Sequence, residues 1–141
     1  MSRKIILALL SFAALAACAP AAESELDGEW LVQEIAGASL NADERVYFSI
    51  EGETMRGFTG CNEFTASVTQ FSGTASISNV VEVDATCASD AAAVNEARFL
   101  GVLPAVTRFA RRGASLQLLG DAAQPDALVL AREDDFATPA Q

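Results

Sequence analysis

By residue type, the stretch of this chain best suited to chemistry is Gly57-Phe58-Thr59-Gly60-Cys61-Asn62-Glu63-Phe64, with a second cysteine, Cys87, downstream. A cysteine nucleophile needs a base beside it, and the chain contains no histidine. That removes the commonest general base near neutral pH, the usual activator of serine or cysteine, and the commonest zinc ligand. Gly60 and Asn62, the neighbours of Cys61, offer no substitute. Cys61 and Cys87 also lack the close Cys-x-x-Cys spacing that lowers a thiol pKa in redox enzymes. Asn62 could donate to a ligand, but an asparagine after a Gly-Cys bend more ordinarily bonds local backbone and fixes a turn, and a structural role is the reading adopted. Glu51 and Glu53 flank Gly52, and Glu133-Asp134-Asp135 cluster near the end. Neither group has the frame of a calcium loop or a sheltered acid–base site, so both read as solvated charges. Arg108, Arg111 and Arg112 form a basic cluster that could face an anionic lipid or acidic partner, although arginine on an edge strand also guards against sheet-to-sheet pairing. These residues point to no catalytic group, no metal and no cofactor, and away from an enzyme.

The start of the chain says where the protein goes. Arg3 and Lys4 precede an apolar run from Ile5 to Leu15, and Leu15-Ala16-Ala17-Cys18 places small residues before a cysteine. This pattern reads as a secretory signal, too short for a membrane span. It resembles a bacterial lipobox, whose cysteine is acylated and begins the mature protein; the alternative is an ordinary signal peptide in which Cys18 is incidental. Acyl chains would anchor Cys18, each buried methylene contributing about 0.8 kcal/mol. In lipoproteins of this kind an aspartate after the cysteine favours the inner membrane, and Ala19 stands there, so the periplasmic face of the outer membrane is expected. Without residues 1–17 the chain carries seven basic residues, all arginine, against nineteen acids, a formal charge of −12. Such a surface repels nucleic acid and anionic headgroups. If Cys18 is acylated, Cys61 and Cys87 remain as an even pair in an oxidising compartment, where a disulfide is expected, with two buried free thiols as the alternative.

Positioning these residues falls to a series of short strands. After a tether over 18–25, strand-forming runs occupy Glu29–Ile35, Arg45–Ile50, Thr54–Gly60, a fourth segment with Phe64, Ala66 and Val68 on one face, and Thr74–Ser78. Val80–Val83 leads as a short extended segment towards Cys87. The period then changes. Ser89 is an N-cap and Ala91–Leu103 a helix stopped by Pro104, with Phe99, Val102 and Leu103 as its apolar stripe and Asn95 and Arg98 facing elsewhere. Strands resume over 105–110, 115–119 and 126–131, and 133–141 forms an acidic tail. Trp30, Tyr47, Phe48, Phe58, Phe64, Phe71, Phe99 and Phe109 can furnish one core. Phe58, Phe64, Leu118 and Leu130 are expected on the inner faces. The economical fold is mainly β within the α+β class: a single barrel-like antiparallel sheet with one packed helix near residues 90–103, forming one domain over 26–132.

Gly28-x-Trp30, Gly57-x-x-Gly60-Cys61-Asn62-x-Phe64, Cys87 and the helical Glu96-x-x-Phe99-Leu100-x-x-Leu103 together resemble the META domain family, in particular its small heat-inducible bacterial lipoproteins. The chain departs from that pattern at Val83 and Ala85, where the family often has threonine and methionine, and at Val68, where an aromatic is common. The resemblance implies a compact barrel exported to the envelope and a link to envelope stress, antibiotic tolerance, secretion or motility, with Gly57, Gly60, Asn62 and Phe64 as structural motif residues. Its fold is similar to that of secretion-pilot lipoproteins that hold lipid in a cracked barrel. Two functions follow as expectations: a monomeric, non-enzymatic envelope lipoprotein acting as a structural or protein-interaction module, or a carrier or sensor of a lipid or other apolar molecule.

Overall fold

Alternating apolar and polar residues produce strands, and the structure, a computed structural model, describes residues 24–41, 43–121 and 125–132. Along the chain these form β1 (Gly28–Ile35), β2 (Ala38–Ser39), β3 (Tyr47–Glu51), β4 (Thr54–Phe58), β5 (Glu63–Phe71), β6 (Thr74–Glu82), α1 (Asp90–Val102), a 3₁₀ turn (Leu103–Ala105), β7 (Arg108–Arg112), β8 (Ser115–Leu119) and β9 (Leu128–Arg132). All pairings are antiparallel. The order runs β1-β3-β4-β5-β6-β7-β8-β9, and β1 returns to pair with β9, closing an eight-stranded barrel. Closure leaves β1 without a free edge, and β2 folds back onto its last two residues, Glu34↔Ser39 and Ile35↔Ala38. The proposed signal segment 1–17, Cys18 and the acidic tail 133–141 lie outside the described residues.

The seams differ greatly. β5 and β6 pair along their length through the two-residue turn Ser72-Gly73, both at positive φ, as a tight hairpin requires. β6 and β7 meet only at Thr74↔Arg108. The barrel is filled: Trp30, Phe48, Phe99, Ile50, Met55, Leu116, Leu118, Leu128 and Leu130 are each at most 1% exposed. α1 closes one end. Phe99 enters between Phe48 and Phe64, with ring centroids 6.1 and 5.2 Å apart, the second pair edge to face. At the other end the Trp30 indole N–H donates to the Leu26 carbonyl at 2.8 Å.

Several expectations are corrected. Phe58 faces outward, because Gly57 rather than Phe58 stands opposite the inward Phe48. Tyr47 and Phe71 are exposed, at 38% and 82%, for the same parity reason, so neither furnishes the core. Asn95 lies on the buried face of α1, one turn before Phe99, and does not face elsewhere. Val80–Glu82 is no separate segment: β6 continues through a register shift near Asn79, itself at φ 51°, and ends at Glu82. β4 stops at Phe58, where the chain turns. β7 begins at Arg108, because the 3₁₀ turn and the buried Val106 take up the preceding residues. The two-residue β2 is too short to write an alternation and was not anticipated.

Candidate functional site

The Gly57–Phe64 motif converges with Cys87 beneath α1, and each part has a local cause. Gly57 sits where β3 and β4 press together: a Cβ there would lie 2.1 Å from the Tyr47 carbonyl oxygen and 2.6 Å from Phe48 Cα. Only a hydrogen fits. β4 then turns through Thr59–Asn62, with Gly60 at φ +92°. The turn is held by the fully buried Thr59, whose hydroxyl oxygen accepts from the N–H groups of Cys61 (3.2 Å) and Asn62 (2.9 Å). Thr59 N–H donates to the Asn62 carbonyl at 2.9 Å. Fixing this turn is thus the work of Thr59, not of Asn62.

Asn62 reaches across instead. Its amide pairs with the main chain of Ala85 like a peptide unit, Oδ1 accepting from Ala85 N–H at 3.1 Å and Nδ2 donating to Ala85 O at 3.2 Å. The second Nδ2 proton goes to Glu96 Oε1 at 3.0 Å. Glu96 Oε2 takes the single proton of the Thr59 hydroxyl. One helical carboxylate therefore fastens both sides of the turn, and hydrogen bonds to a charged acceptor each contribute about 1.5–3 kcal/mol. Cys61 and Cys87 are joined in a disulfide with Cα atoms 5.1 Å apart.

Among the described residues, the group of Cys, Asp and Glu side chains close enough to hold a metal is Cys61, Cys87 and Glu96. With both sulfurs bonded to each other, neither is a thiolate, and the carboxylate is already committed to Thr59 and Asn62. The node is a clasp. Glu96 was visible in the sequence one turn before Phe99, but nothing there assigned it a partner.

The arginine cluster separates. Arg111 points into the barrel end, its guanidinium carbon 5.3 Å from the Trp30 ring centroid, and donates to the Glu25 carbonyl at 2.9 Å. Arg132, not singled out by the sequence, stacks on the same ring at 4.9 Å. Arg112 donates from Nε to Gln117 Oε1 at 2.6 Å, and Arg108 is exposed. Two of these arginines thus form a lid over Trp30 rather than a docking patch. Glu51 and Glu53 are exposed on the turn between β3 and β4.

Sequence reasoning missed a groove of about 490 Å³ on the outer face of β3–β6, lined by Tyr47, Arg56, Phe58, Val81, Val83 and Thr65 among others, with Glu29, Glu63 and Glu82 also in its walls. Tyr47 and Phe58 form a tilted ring pair with centroids 5.9 Å apart. Val81 and Val83 are 64% and 60% exposed. The signal was present in the outward parity of Tyr47 and Phe58, hidden by assigning Phe58 to the core. Its size lies within the range of ligand-binding clefts.

Comparison with known proteins accords with this architecture. The family described as META domain matches residues 23–135. No curated protein matches the chain significantly. Two solved structures share its fold. An NMR structure of a protein from Burkholderia xenovorans aligns with a TM-score of 0.62 at 20% identity over 89% of this chain and 99% of that one. A second NMR structure aligns at 0.61 with 13% identity over 80% of this chain and 94% of its own.

Proposed function

The chain belongs to the META domain family, and from that premise we propose that it is a non-enzymatic lipoprotein of the bacterial envelope, a protein-interaction module serving stress or antibiotic tolerance. The observation that carries this reading is the filled interior: Trp30, Phe48, Phe99, Leu116 and Leu118, each at most 1% exposed, pack into the barrel, so binding is assigned to the outer surface. The Glu96 clasp supports it from the other side, because its polar groups are used up in holding the fold. Cys18 is the lipidation site, Ala19 directs the anchor to the outer membrane, and the protein works as a monomer. Substituting Cys18→Ser should move the protein from the membrane to the soluble periplasmic fraction; unchanged fractionation overturns the anchor.

The second reading, a carrier of a lipid or other apolar molecule, is favoured by the outer groove, which offers room that the interior does not. Native mass spectrometry after mild extraction separates the two. A clean apo mass is expected for the interaction module, and a retained lipid-sized ligand promotes the carrier.

A further inference from the structure

β6 has an open edge. It pairs with β7 only at Thr74, and the 3₁₀ turn packs against it, yet the strand runs on to Glu82 with no strand on that side among the described residues. Residues 81–86 are exposed. The direction of the free groups follows from the register. Val83 N–H donates to the Glu63 carbonyl at 3.0 Å, and Glu82 and Val81 stand opposite Phe64 and Thr65. Main-chain groups in an antiparallel ladder alternate between the two neighbours. Val81 and Val83 therefore bond to β5, the N–H and C=O groups of Glu82 point to the open side, and so does the Val80 carbonyl, which opposes the Val81 N–H within one peptide unit.

The open edge borders the groove. Val81 and Val83 stand at its rim, next to the Tyr47–Phe58 pair. The charges around it are Glu29, Glu63, Glu82 and, beyond the strand, Asp84, against Arg56 within and Arg45 stacked 5.9 Å from the Tyr47 centroid. The balance is negative, on a chain whose formal charge is −10. An exposed strand edge beside exposed apolar side chains is the arrangement by which extended peptides are bound, the main chain giving affinity and alternate side chains giving specificity.

We infer that an extended segment of a partner protein, alternating apolar and basic residues, adds as a strand to β6 at Val80–Glu82, its apolar side chains lying on the outer face beside Val81 and Val83 and its basic ones on the opposite face beside Glu82. This rests on the interaction-module reading and gives it a site and a partner class.

The test uses the ¹⁵N-labelled protein, purified after export, and a capped peptide alternating lysine and valine. Binding should shift the amide resonance of Glu82, slow its hydrogen exchange about tenfold or more, and weaken as salt screens the carboxylates. The double variant Val81→Lys, Val83→Lys, whose changed side chains are exposed, should keep its circular dichroism spectrum and lose about tenfold in affinity or more. No shift, equal binding of a peptide alternating glutamate and valine, or protection mapped elsewhere overturns the inference. A cationic detergent that shifts Tyr47 and Phe58 as strongly as the peptide, with Glu82 unprotected by either probe, also overturns it and assigns the groove to a small amphiphile. Cross-links to envelope proteins that persist in the double variant leave the module reading standing and remove this site from it.

Discussion

Glu96 shows how much one side chain does in a small barrel. Its carboxylate takes the Thr59 hydroxyl proton and an Asn62 amide proton, tying α1 to the turn after β4. Glu96→Ala should lower stability by about 2–3 kcal/mol, and a double-mutant cycle with Asn62→Ala in urea melts should show coupling above about 0.5 kcal/mol. Additive losses would mean that the clasp is not a unit. Gly57 poses a steric question instead. In Gly57→Ala the new methyl meets the backbone of Tyr47 and Phe48, which cannot rotate aside, so a loss of about 3 kcal/mol or more is expected from the urea midpoint. Glu44 supplies the pH dependence. Its carboxylate accepts from the Asn41 N–H at 3.1 Å and the Asn41 amide at 2.9 Å, and these bonds, the main-chain one first, hold its pKa below the ordinary 4.5. A group with a depressed folded-state pKa contributes stability above its unfolded pKa and loses it as pH falls through the folded value. The difference in melting temperature between the wild type and Glu44→Gln should therefore be widest near neutral pH and vanish on acidification; a constant difference across that range contradicts the assignment.

The disulfide ties β5's entry to the segment leading into α1, and its reduction should cost about 3.5 kcal/mol on the chain-entropy model for a cysteine separation of 26. Thiol titration of the denatured, unreduced protein should find neither Cys61 nor Cys87 free. How far these elements could be read in advance depended on whether their cause is local. The alternation Phe64, Ala66, Val68 and the change of period at Ser89 are written in adjacent residues, and both elements form where expected; Ser89 Oγ accepts from Ala92 N–H at 3.1 Å. The Cys61–Cys87 pair followed from counting thiols on the expectation of an exported chain. Phe58 and Asn95 were misplaced because their facing is decided by partners far away. Phe58 is turned outward by the close contact of Gly57 with Phe48, and Asn95 inward by the docking of Phe99. Thr59, Asn62 and Glu96 lie in three separate segments, so their bonding becomes visible only once the chain is folded. The groove is further removed still, a product of the outer faces of four strands.

Taken around its circumference, the barrel is a ring with one thin joint. β1 and β9, from opposite ends of the domain, pair over Trp30↔Arg132 to Ile35↔Leu128, whereas β6 and β7 are held by Ala75 N–H to Thr107 O at 3.1 Å and Phe109 N–H to Gly73 O at 3.0 Å. Opening a ring costs least where the fewest bonds cross. Local openings in proteins range from near zero to the full unfolding free energy, and sparse main-chain bonding marks the low end. The amides of Ala75 and Phe109 should therefore exchange by a local opening, with protection lower by about tenfold or more than that of Phe48 or Leu130, whose strands pair on both sides. Protection at Ala75 and Phe109 equal to that at Leu130 would show that the barrel opens only as a whole. Reducing the disulfide should leave this contrast in place, because Cys61 and Cys87 join β5's entry to the segment leading into α1 and do not span the joint. The same joint leaves β6 without a partner strand beyond Ala75, so one strand carries the thin seam at its start and, at its far end, main-chain groups that another chain can meet. Strand addition there should slow the exchange of Ala75 and Phe109 together with that of Glu82; slowing at Glu82 alone would mean that the two properties of β6 are independent.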